Sequence, residues 1–379
     1  MAIDHPSDAL PPGYRLGPYE ILRVLGRGGF GVTYQARRAG VAGDMVAIKE
    51  LFPSGSAWRA PDMSVSSLPH ADPAEVGSII DMFLREAGLI CGIDHPNIVR
   101  GVDAFRENGT GYLVMRYVTG RNLRDSLREP GGFRPAPASM LALLAPLLDG
   151  LETLHHHRLL HCDIKPDNIF LGVGFEPILI DLGSARWVAP GGGGEESGTY
   201  SHYFSAIEQV DPRYGQLGPW TDLYQLSAVC YRCITGGKLP DAMDRIVGAE
   251  DPFLPLAEIP EVVKAYPRPL LDAIDRGLAI FPEHRPASVN EWRRSLTGLL
   301  PRRQAVKEHR STAQPAAPAP PAPPPASAPS HPPPLPIPSP AVASLPSHAP
   351  TPAPDLLLWL GCGLLVLILL IVGALFLDG

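Results

Sequence analysis

The chain has few of the features that mark secreted, disulfide-linked or nucleic-acid-binding proteins. Five of its 379 residues are cysteines, and their spacing matches no disulfide or zinc framework. No signal-peptide pattern opens the sequence, so a reducing cytosol suits the N-terminal part. The formal net charge is -7, which lacks the basic surplus typical of nucleic-acid-binding proteins. We therefore expect a globular N-terminal part with no nucleic-acid partner.

The prolines are distributed unevenly. The chain has 45 of them, and they crowd into residues 313–354 together with Ala and Ser. Such a segment has too few large apolar side chains to fold. We expect residues 301–355, basic at first and then Pro/Ala-rich, to form a disordered linker. A plain spacer and a ligand for a partner's aromatic groove are the two interpretations of this linker that stay open.

A long apolar run follows the linker. Residues 356–377 contain no charged side chain, and as a helix they would span about 33 Å, enough for the hydrocarbon core of a bilayer. We predict one transmembrane helix here.

The stretch His161–Asn168, HCDIKPDN, concentrates polar functions between apolar runs. Loops of this kind often carry chemistry. Asp163 could orient an attacking hydroxyl, Lys165 could neutralise a transferring phosphoryl group, and Asn168 could hold a metal ion. The combination indicates phosphoryl transfer.

The same stretch resembles the catalytic loop HRDxKxxN of serine/threonine protein kinases, with Cys162 in place of Arg. The resemblance covers residues 14–300 and leaves residues 1–13 as a flexible extension. It implies an α+β fold of two lobes, a small β-rich lobe and a larger helical lobe, with ATP and Mg²⁺ or Mn²⁺ between them. Because Cys162 cannot pair with a phosphate as Arg does, we expect activity without phosphorylation of the activation segment.

Residues 19–38 alternate apolar and polar side chains on both sides of a glycine turn, as a β-hairpin should. Gly26, Gly28 and Gly31 form G-x-G-x-x-G, which dinucleotide-binding folds share and an ordinary hairpin turn would also explain. In dinucleotide folds the third glycine opens a helix, whereas here the strand pattern continues from Val32. This favours a hairpin that lies over nucleotide phosphates.

A strand that ends in Lys49 follows, and the apolar residues of FLREAGLI at helical spacing place Glu86 on the next helix. By resemblance Lys49 reaches the α- and β-phosphates and Glu86 fixes it, with a surface lysine as the alternative. The intervening segment, residues 52–75, is longer than usual, and we expect a loop insertion. Its flanks are similar to those of bacterial protein kinases.

Residues 112–118 read as a buried strand that runs into the connector between the lobes. The resemblance implies that Met115 controls the back of the nucleotide pocket and that Arg116 and Val118 present main-chain groups to adenine. A core strand without a ligand is the alternative. The remaining residues that the resemblance assigns to ATP binding are Val32, Ala47 and Phe170.

Two short apolar runs after the catalytic loop predict a hairpin that delivers Asp181. Asp181-Leu182-Gly183 resembles the DFG motif with Leu for Phe, which implies that Asp181 joins Asn168 in holding metal. The activation segment would occupy residues 184–204.

The segment ends at Ser205-Ala206-Ile207-Glu208, a variant of the APE motif. The resemblance implies that Arg285 clamps Glu208 and that Asp222 braces the catalytic loop. Ser201, seven residues before Glu208, and Lys165 point to Ser or Thr as the acceptor. 

Two further patterns carry open alternatives. Cys230 and Cys233 form C-x-x-C, which suits zinc or redox chemistry or a buried helix face. The histidines at 155–157 suit a metal tract or a helix C-terminus. We favour the buried helix face for the two cysteines and the helix C-terminus for the histidines.

The sequence thus predicts a bacterial serine/threonine protein kinase that uses ATP and acts on protein hydroxyls. The need for ATP would place its kinase domain on the cytoplasmic side of a single-pass protein of the inner membrane. The alternatives are a pseudokinase scaffold that displays a Pro-rich arm and a small-molecule kinase of similar fold. A homodimer stays open.

Overall fold

The computed structural model describes residues 8–300, with gaps at residues 30, 42, 54–56, 68–72, 130–131, 183–185, 188–200 and 249. The predicted linker, the predicted transmembrane helix and most of the activation segment therefore lie outside the described residues. The strands are β1 (Arg15–Leu16), β2 (Tyr19–Gly28), β3 (Gly31–Arg38), β4 (Met45–Leu51), β5 (Ala57–Arg59), β6 (Val65–Ser67), β7 (Gly101–Glu107), β8 (Thr110–Arg116), β9 (Gly120–Asn122), β10 (Leu159–Leu160), β11 (Ile169–Gly172), β12 (Pro177–Leu179) and β13 (Arg186–Trp187). The helices are α1 (Pro73–Cys91), α2 (Leu123–Arg128), α3 (Pro137–His156), α4 (Ile207–Val210), α5 (Pro219–Thr235), α6 (Asp244–Val247), α7 (Pro260–Ala265), α8 (Arg268–Gly277) and α9 (Val289–Ser295).

The small lobe is built on one antiparallel sheet of six strands in the order β1-β2-β3-β4-β8-β7. The predicted glycine hairpin is present, because β2 and β3 pair from Tyr19 with Arg38 to Gly28 with Gly31. Alternate residues of the central strands, such as Tyr34 and Ile48, are buried in the lobe's own core. Since successive side chains of a strand point to opposite faces, the buried alternate residues cover one face of this sheet.

The predicted loop insertion at residues 52–75 is in part wrong, because it contains the antiparallel hairpin β5–β6 and the start of α1. The hairpin delivers Arg59 into the small lobe, where its guanidinium lies 2.5 Å from Glu50 and both side chains are 1% exposed or less. The hydroxyls of Tyr34 and Tyr112 each donate to the same carboxylate at 2.6 Å. A buried carboxylate needs such partners. Here the three partners lie 9, 16 and 62 residues away from Glu50 in the sequence.

The predicted flexible extension is also wrong for its last residues. Ala9 and Leu10 are buried in the small-lobe core. The backbone N–H of Leu10 donates to the Tyr34 hydroxyl at 3.1 Å, and the carbonyl of Asp8 accepts from Arg59 at 2.9 Å. The folded domain therefore begins before residue 14.

The larger lobe is helical, as predicted, and is centred on α3 and α5. Helix α3 continues through Pro146 and buries a run of leucines in the core. Among the described residues it is the one helix long and apolar enough to cross a membrane, and it has the burial of a core helix.

Both cysteines of the C-x-x-C pattern lie fully buried on α5. Burial raises the pKa of the Cys233 thiol to about 12. The two side chains therefore have the environment that the buried-helix interpretation expects.

The buried ion pair of the β5–β6 hairpin gives a stability prediction. Arg59→Ala leaves Glu50 charged and without its cation in the small-lobe core, so it should lower the free energy of unfolding by about 3–5 kcal/mol. The measurement is urea unfolding of a fragment that ends at Arg310. Arg37→Ala is the matched control, because it breaks an exposed, solvent-screened ion pair with Glu20 and should leave the free energy of unfolding nearly unchanged. Equal losses in the two variants would contradict the account.

Candidate active site

A cleft of about 470 Å³ separates the two lobes. Most residues that the sequence assigned to catalysis, nucleotide or metal line it, and Val32 and Glu86 are the exceptions. The assigned residues in the cleft are Gly26, Gly28, Gly31, Ala47, Lys49, Met115, Arg116, Val118, Asp163, Lys165, Asn168, Phe170 and Asp181.

The assignment of Val32 to the cleft is wrong. Its side chain is 3% exposed and belongs to the small-lobe core, whereas the next residue, Thr33, lines the cleft. Successive side chains of a strand point to opposite faces, so the sequence interpretation was displaced by one residue.

The glycines of the β2–β3 hairpin have different roles. A Cβ at Gly31 would come within 2.1 Å of the Glu50 carbonyl oxygen, so glycine is needed there to pack β3 on β4. A Cβ at Gly26 or Gly28 would meet no atom within 4 Å. Protein packing does not require these two glycines. Their open surface toward the cleft fits close approach of the backbone to a phosphate-bearing ligand.

The carboxylate of Asp163 is the centre of the catalytic loop and is 4% exposed. Lys165 Nζ donates to both of its oxygens, at 3.0 and 2.8 Å, and Asn168 Nδ2 donates to Oδ2 at 2.9 Å. The hydroxyl of Ser201 donates to Oδ1 at 2.7 Å, and Lys165 donates to that hydroxyl at 3.1 Å. The site therefore already holds a serine hydroxyl between a carboxylate and a cation.

Asp222 at the start of α5 holds the backbone of this loop, as predicted. Its carboxylate is completely buried and accepts from the N–H of His161 at 2.9 Å and of Cys162 at 2.8 Å. The His155 ring lies 2.8 Å from the same carboxylate. Burial favours a higher pKa for Asp222, but the contact with His155 and the bond from Cys162 outweigh it and hold the pKa below its ordinary value. Asp222 is therefore an anion at neutral pH.

Two glutamines that the sequence analysis missed complete the brace. The buried side chain of Gln225 accepts from the Ile164 N–H at 2.9 Å and donates to the Cys162 carbonyl at 3.0 Å. Gln209 donates to the same carbonyl at 2.8 Å. For Gln225 the sequence did carry a signal, since it is a polar residue three positions after Asp222 on an otherwise apolar helix face.

The predicted pair of Glu208 and Arg285 is confirmed. The guanidinium of Arg285 donates two hydrogen bonds to the carboxylate of Glu208, at 2.7 and 3.1 Å, and both side chains are fully buried. Thr221 donates to the same carboxylate at 2.8 Å. The segment that follows Ser201 is thus fixed to the helical lobe by a buried, hydrogen-bonded ion pair.

Lys49 forms its ion pair with Asp181 across the cleft. Glu86 lies half-buried on α1 outside the cleft lining, so its role as partner of Lys49 stays a prediction. Leu182 is 1% exposed in the main core, which places an apolar anchor directly behind Asp181.

Asn168 and Asp181 fit a hard divalent cation by their chemistry. The amide nitrogen of Asn168 is bonded to Asp163, which leaves its side-chain oxygen as the ligand atom. Asp181 supplies a partly exposed carboxylate. Magnesium typically takes one or two protein oxygens together with substrate phosphates, and the described residues contain no group of three or more His, Cys, Asp or Glu arranged for a metal.

Comparison with known sequences agrees with this geometry. Residues 19–246 match the family model described as protein kinase domain. The chain is 32% identical over 233 residues to serine/threonine-protein kinase pkn2 of Myxococcus xanthus, with 59% of this chain and 25% of that protein aligned. It is 29% identical over 310 residues to serine/threonine-protein kinase PkaA of Streptomyces coelicolor, with 78% and 52% aligned. The chain thus spans from a quarter to about half of these relatives.

Solved structures are similar in fold. The structure described as PpkA-294 apo form has 31% sequence identity and a TM-score of 0.64, and the match covers 76% of this chain and 100% of that one. A crystal structure of the Mycobacterium tuberculosis PknI kinase domain has 22% identity and a TM-score of 0.55, with 77% and 99% covered. At that lower identity the second match bears on the fold alone.

The buried glutamine of α5 gives a prediction about the loop. Gln225→Leu leaves the Ile164 N–H without its acceptor, at a cost of about 1–3 kcal/mol. The loop around Asp163 should loosen, so phosphoryl transfer should slow by about tenfold or more while ATP affinity stays within about twofold. Turnover and nucleotide titration measure these quantities. Gln216→Leu, at an exposed position, is the matched control and should leave both unchanged. An unimpaired Gln225→Leu enzyme would refute the brace.

Proposed function

Because this chain belongs to the protein kinase family, we propose that it is a serine/threonine protein kinase of bacterial signalling. It transfers the γ-phosphoryl group of ATP to a serine or threonine hydroxyl of a protein. The observation that carries the proposal is the position of the Ser201 hydroxyl, 2.7 Å from Asp163 and 3.1 Å from Lys165. An acceptor hydroxyl needs this pairing of carboxylate and cation.

The proposed mechanism assigns a separate task to each side chain. Asp163 accepts a hydrogen bond from the acceptor hydroxyl, orients it and takes its proton. The hydroxyl oxygen forms a bond to the γ-phosphorus, while the bond from that phosphorus to the β–γ bridging oxygen breaks and ADP leaves. The ammonium of Lys165, beside the acceptor oxygen, offsets the negative charge of the transferring group.

The nucleotide side of the cleft holds ATP in the position for transfer. Lys49 would contact the α- and β-phosphates, and the backbone around Gly26 and Gly28 would cover the phosphates. Asn168 and Asp181 would hold Mg²⁺ or Mn²⁺, which would supply positive charge beside the phosphates. Met115, with the main chain of Arg116 and Val118, would bound the adenine end.

Two other functions make different predictions. In a pseudokinase scaffold the domain would display the Pro-rich arm and transfer nothing. The complete set of Lys49, Asp163, Asn168 and Asp181 in one cleft favours an enzyme over a scaffold. A small-molecule kinase would not need the fixed segment from Ser201 to Glu208, which favours a protein acceptor.

Substitution of the acceptor-site carboxylate tests the enzyme against the scaffold. Asp163→Asn should lower turnover by about 10² to 10⁴, with ATP affinity nearly intact, because Asp163 acts on the acceptor and not on the nucleotide. Lys49→Met should also inactivate, since it misplaces the phosphates. The measurements are transfer from labelled ATP to a generic protein substrate and nucleotide titration. Unchanged turnover in Asp163→Asn would remove Asp163 from the mechanism, and full biological activity of both variants would favour the scaffold.

We also propose that residues 356–377 anchor the protein in the inner membrane and that residues 301–355 are its tether. The support is compositional, since a Pro-rich coil does not pack stably on a folded lobe and the last segment is apolar throughout.

Truncation tests the tether. A fragment that ends at Arg310 should be soluble and keep the specific activity of the full chain within about twofold, since no tether residue is assigned to the active site. It should also leave the membrane fraction, which fractionation of cells that express each form will measure. Recovery of the full chain in the soluble fraction would contradict the anchor.

A further inference from the structure

A second cavity of about 170 Å³ opens beside the acceptor site. It lies between α2, the turn after Lys165, the segment after Ser201, and α5 with the loop that follows it. Arg124 and Asp167 line both this cavity and the nucleotide cleft. The two cavities are therefore neighbours on the face where an acceptor must approach Asp163.

The cavity is close enough to contact the residues that flank an acceptor. Asp167 follows Lys165 by two positions, and Tyr203 follows Ser201 by two positions. Two residues of chain span at most about 7 Å. A protein segment whose hydroxyl lies at Asp163 therefore has its neighbouring side chains within reach of this cavity.

The charge of the cavity is strongly positive. Four basic side chains and one acidic side chain line it, which leaves a formal excess of three positive charges (4 minus 1) in a chain whose net charge is -7. Asp167 is paired with Arg124 at 2.5 Å. The other three cations, Arg128, Arg232 and Lys238, form no ion pair with a carboxylate in the part of the chain that the structure describes.

These cations retain donors for a ligand. Arg232 gives one N–H to the Gly236 carbonyl, and a guanidinium has five. Lys238 lies 4.5 Å above the ring of Tyr203 and donates to its hydroxyl at 3.3 Å, which leaves two N–H groups. Leu127 and Phe204 supply apolar wall, next to which an ionic contact is stronger than in open water.

We propose that this cavity selects protein substrates with a glutamate or aspartate close to the acceptor serine or threonine. A short apolar stem that ends in a carboxylate suits a small cavity with apolar walls and unpaired cations, whereas a lysine at the same place would be repelled. The inference deepens the proposed kinase function and rests on it.

Peptide turnover by the full chain in detergent micelles tests the selection. One neutral serine peptide is compared with variants that carry a single Glu, Lys or phosphoserine at each position from about four before to four after the acceptor. We expect Glu to raise kcat/KM by about fivefold at one or two positions and Lys to lower it there, as partly exposed charge pairs do.

The outcomes distinguish an error in the assignment of the cavity from an error in the proposed kinase function. Phosphorylation of the peptides with no preference for Glu at any position would overturn the assignment of the cavity and leave the kinase function standing. A gain with phosphoserine but none with Glu would overturn the assignment to carboxylates. A failure to phosphorylate any of these peptides or a generic protein would instead contradict the proposed function.

Substitutions link the preference to the cavity. The double variant Arg128→Gln, Arg232→Gln should lose the preference for Glu and keep kcat/KM for the neutral peptide within about twofold, since no catalytic group is changed. Arg268→Gln is the matched control, because Arg268 is an exposed arginine on α8 paired with Asp272, and it should keep the full preference.

Reversing the charge of Arg128 distinguishes a direct contact with the substrate charge from a purely structural role of this side chain. Arg128 is exposed at the end of α2, so Arg128→Glu should fold normally, and a thermal melt will check this. It should shift the preference at the sensitive position from Glu toward Lys. Retention of the wild-type preference for Glu in Arg128→Glu and in the double variant would overturn the proposal.

Discussion

The acceptor site depends on a single buried anion, the carboxylate of Asp222. A charge without water is costly unless donors surround it, and here the donors are two consecutive backbone N–H groups of the catalytic loop, with the His155 ring beside them. Their alignment on one carboxylate fixes the loop at Cys162, which takes a left-handed backbone conformation with φ of 61°. That turn sets the position from which Asp163 enters the cleft.

The same network explains why a cysteine is acceptable beside Asp163. Cys162 contributes its backbone to the site: its N–H bonds to Asp222, and its carbonyl accepts from Gln209 and Gln225. Gln209 directly follows Glu208, whose pair with Arg285 fixes the segment after Ser201. The loop that would activate the hydroxyl and the segment that would hold the acceptor are therefore positioned by one connected set of buried polar groups.

Features encoded by neighbouring residues could be predicted from the sequence, and features that depend on distant pairs could not. The glycine hairpin and the strand of Lys49 follow from alternation over a few positions, and the cluster from Asp163 to Asn168 is itself a local motif. The pairing of Arg59 with Glu50 depends on how the β5–β6 hairpin folds back, which no local pattern records. Val32 was misassigned because the resemblance was applied one residue out of place, and in a strand a shift of one residue exchanges the two faces.

Transfer of phosphate to a protein hydroxyl is tested most directly by identifying the phosphorylated residue. The full chain is incubated with γ-labelled ATP, Mg²⁺ and a generic protein substrate, and the labelled positions are located by mass spectrometry. Label on serine or threonine of the substrate is the result that the arrangement of Asp163, Lys165 and Ser201 predicts. Tight binding of ATP with no label on any protein, or label on a small molecule alone, would contradict it.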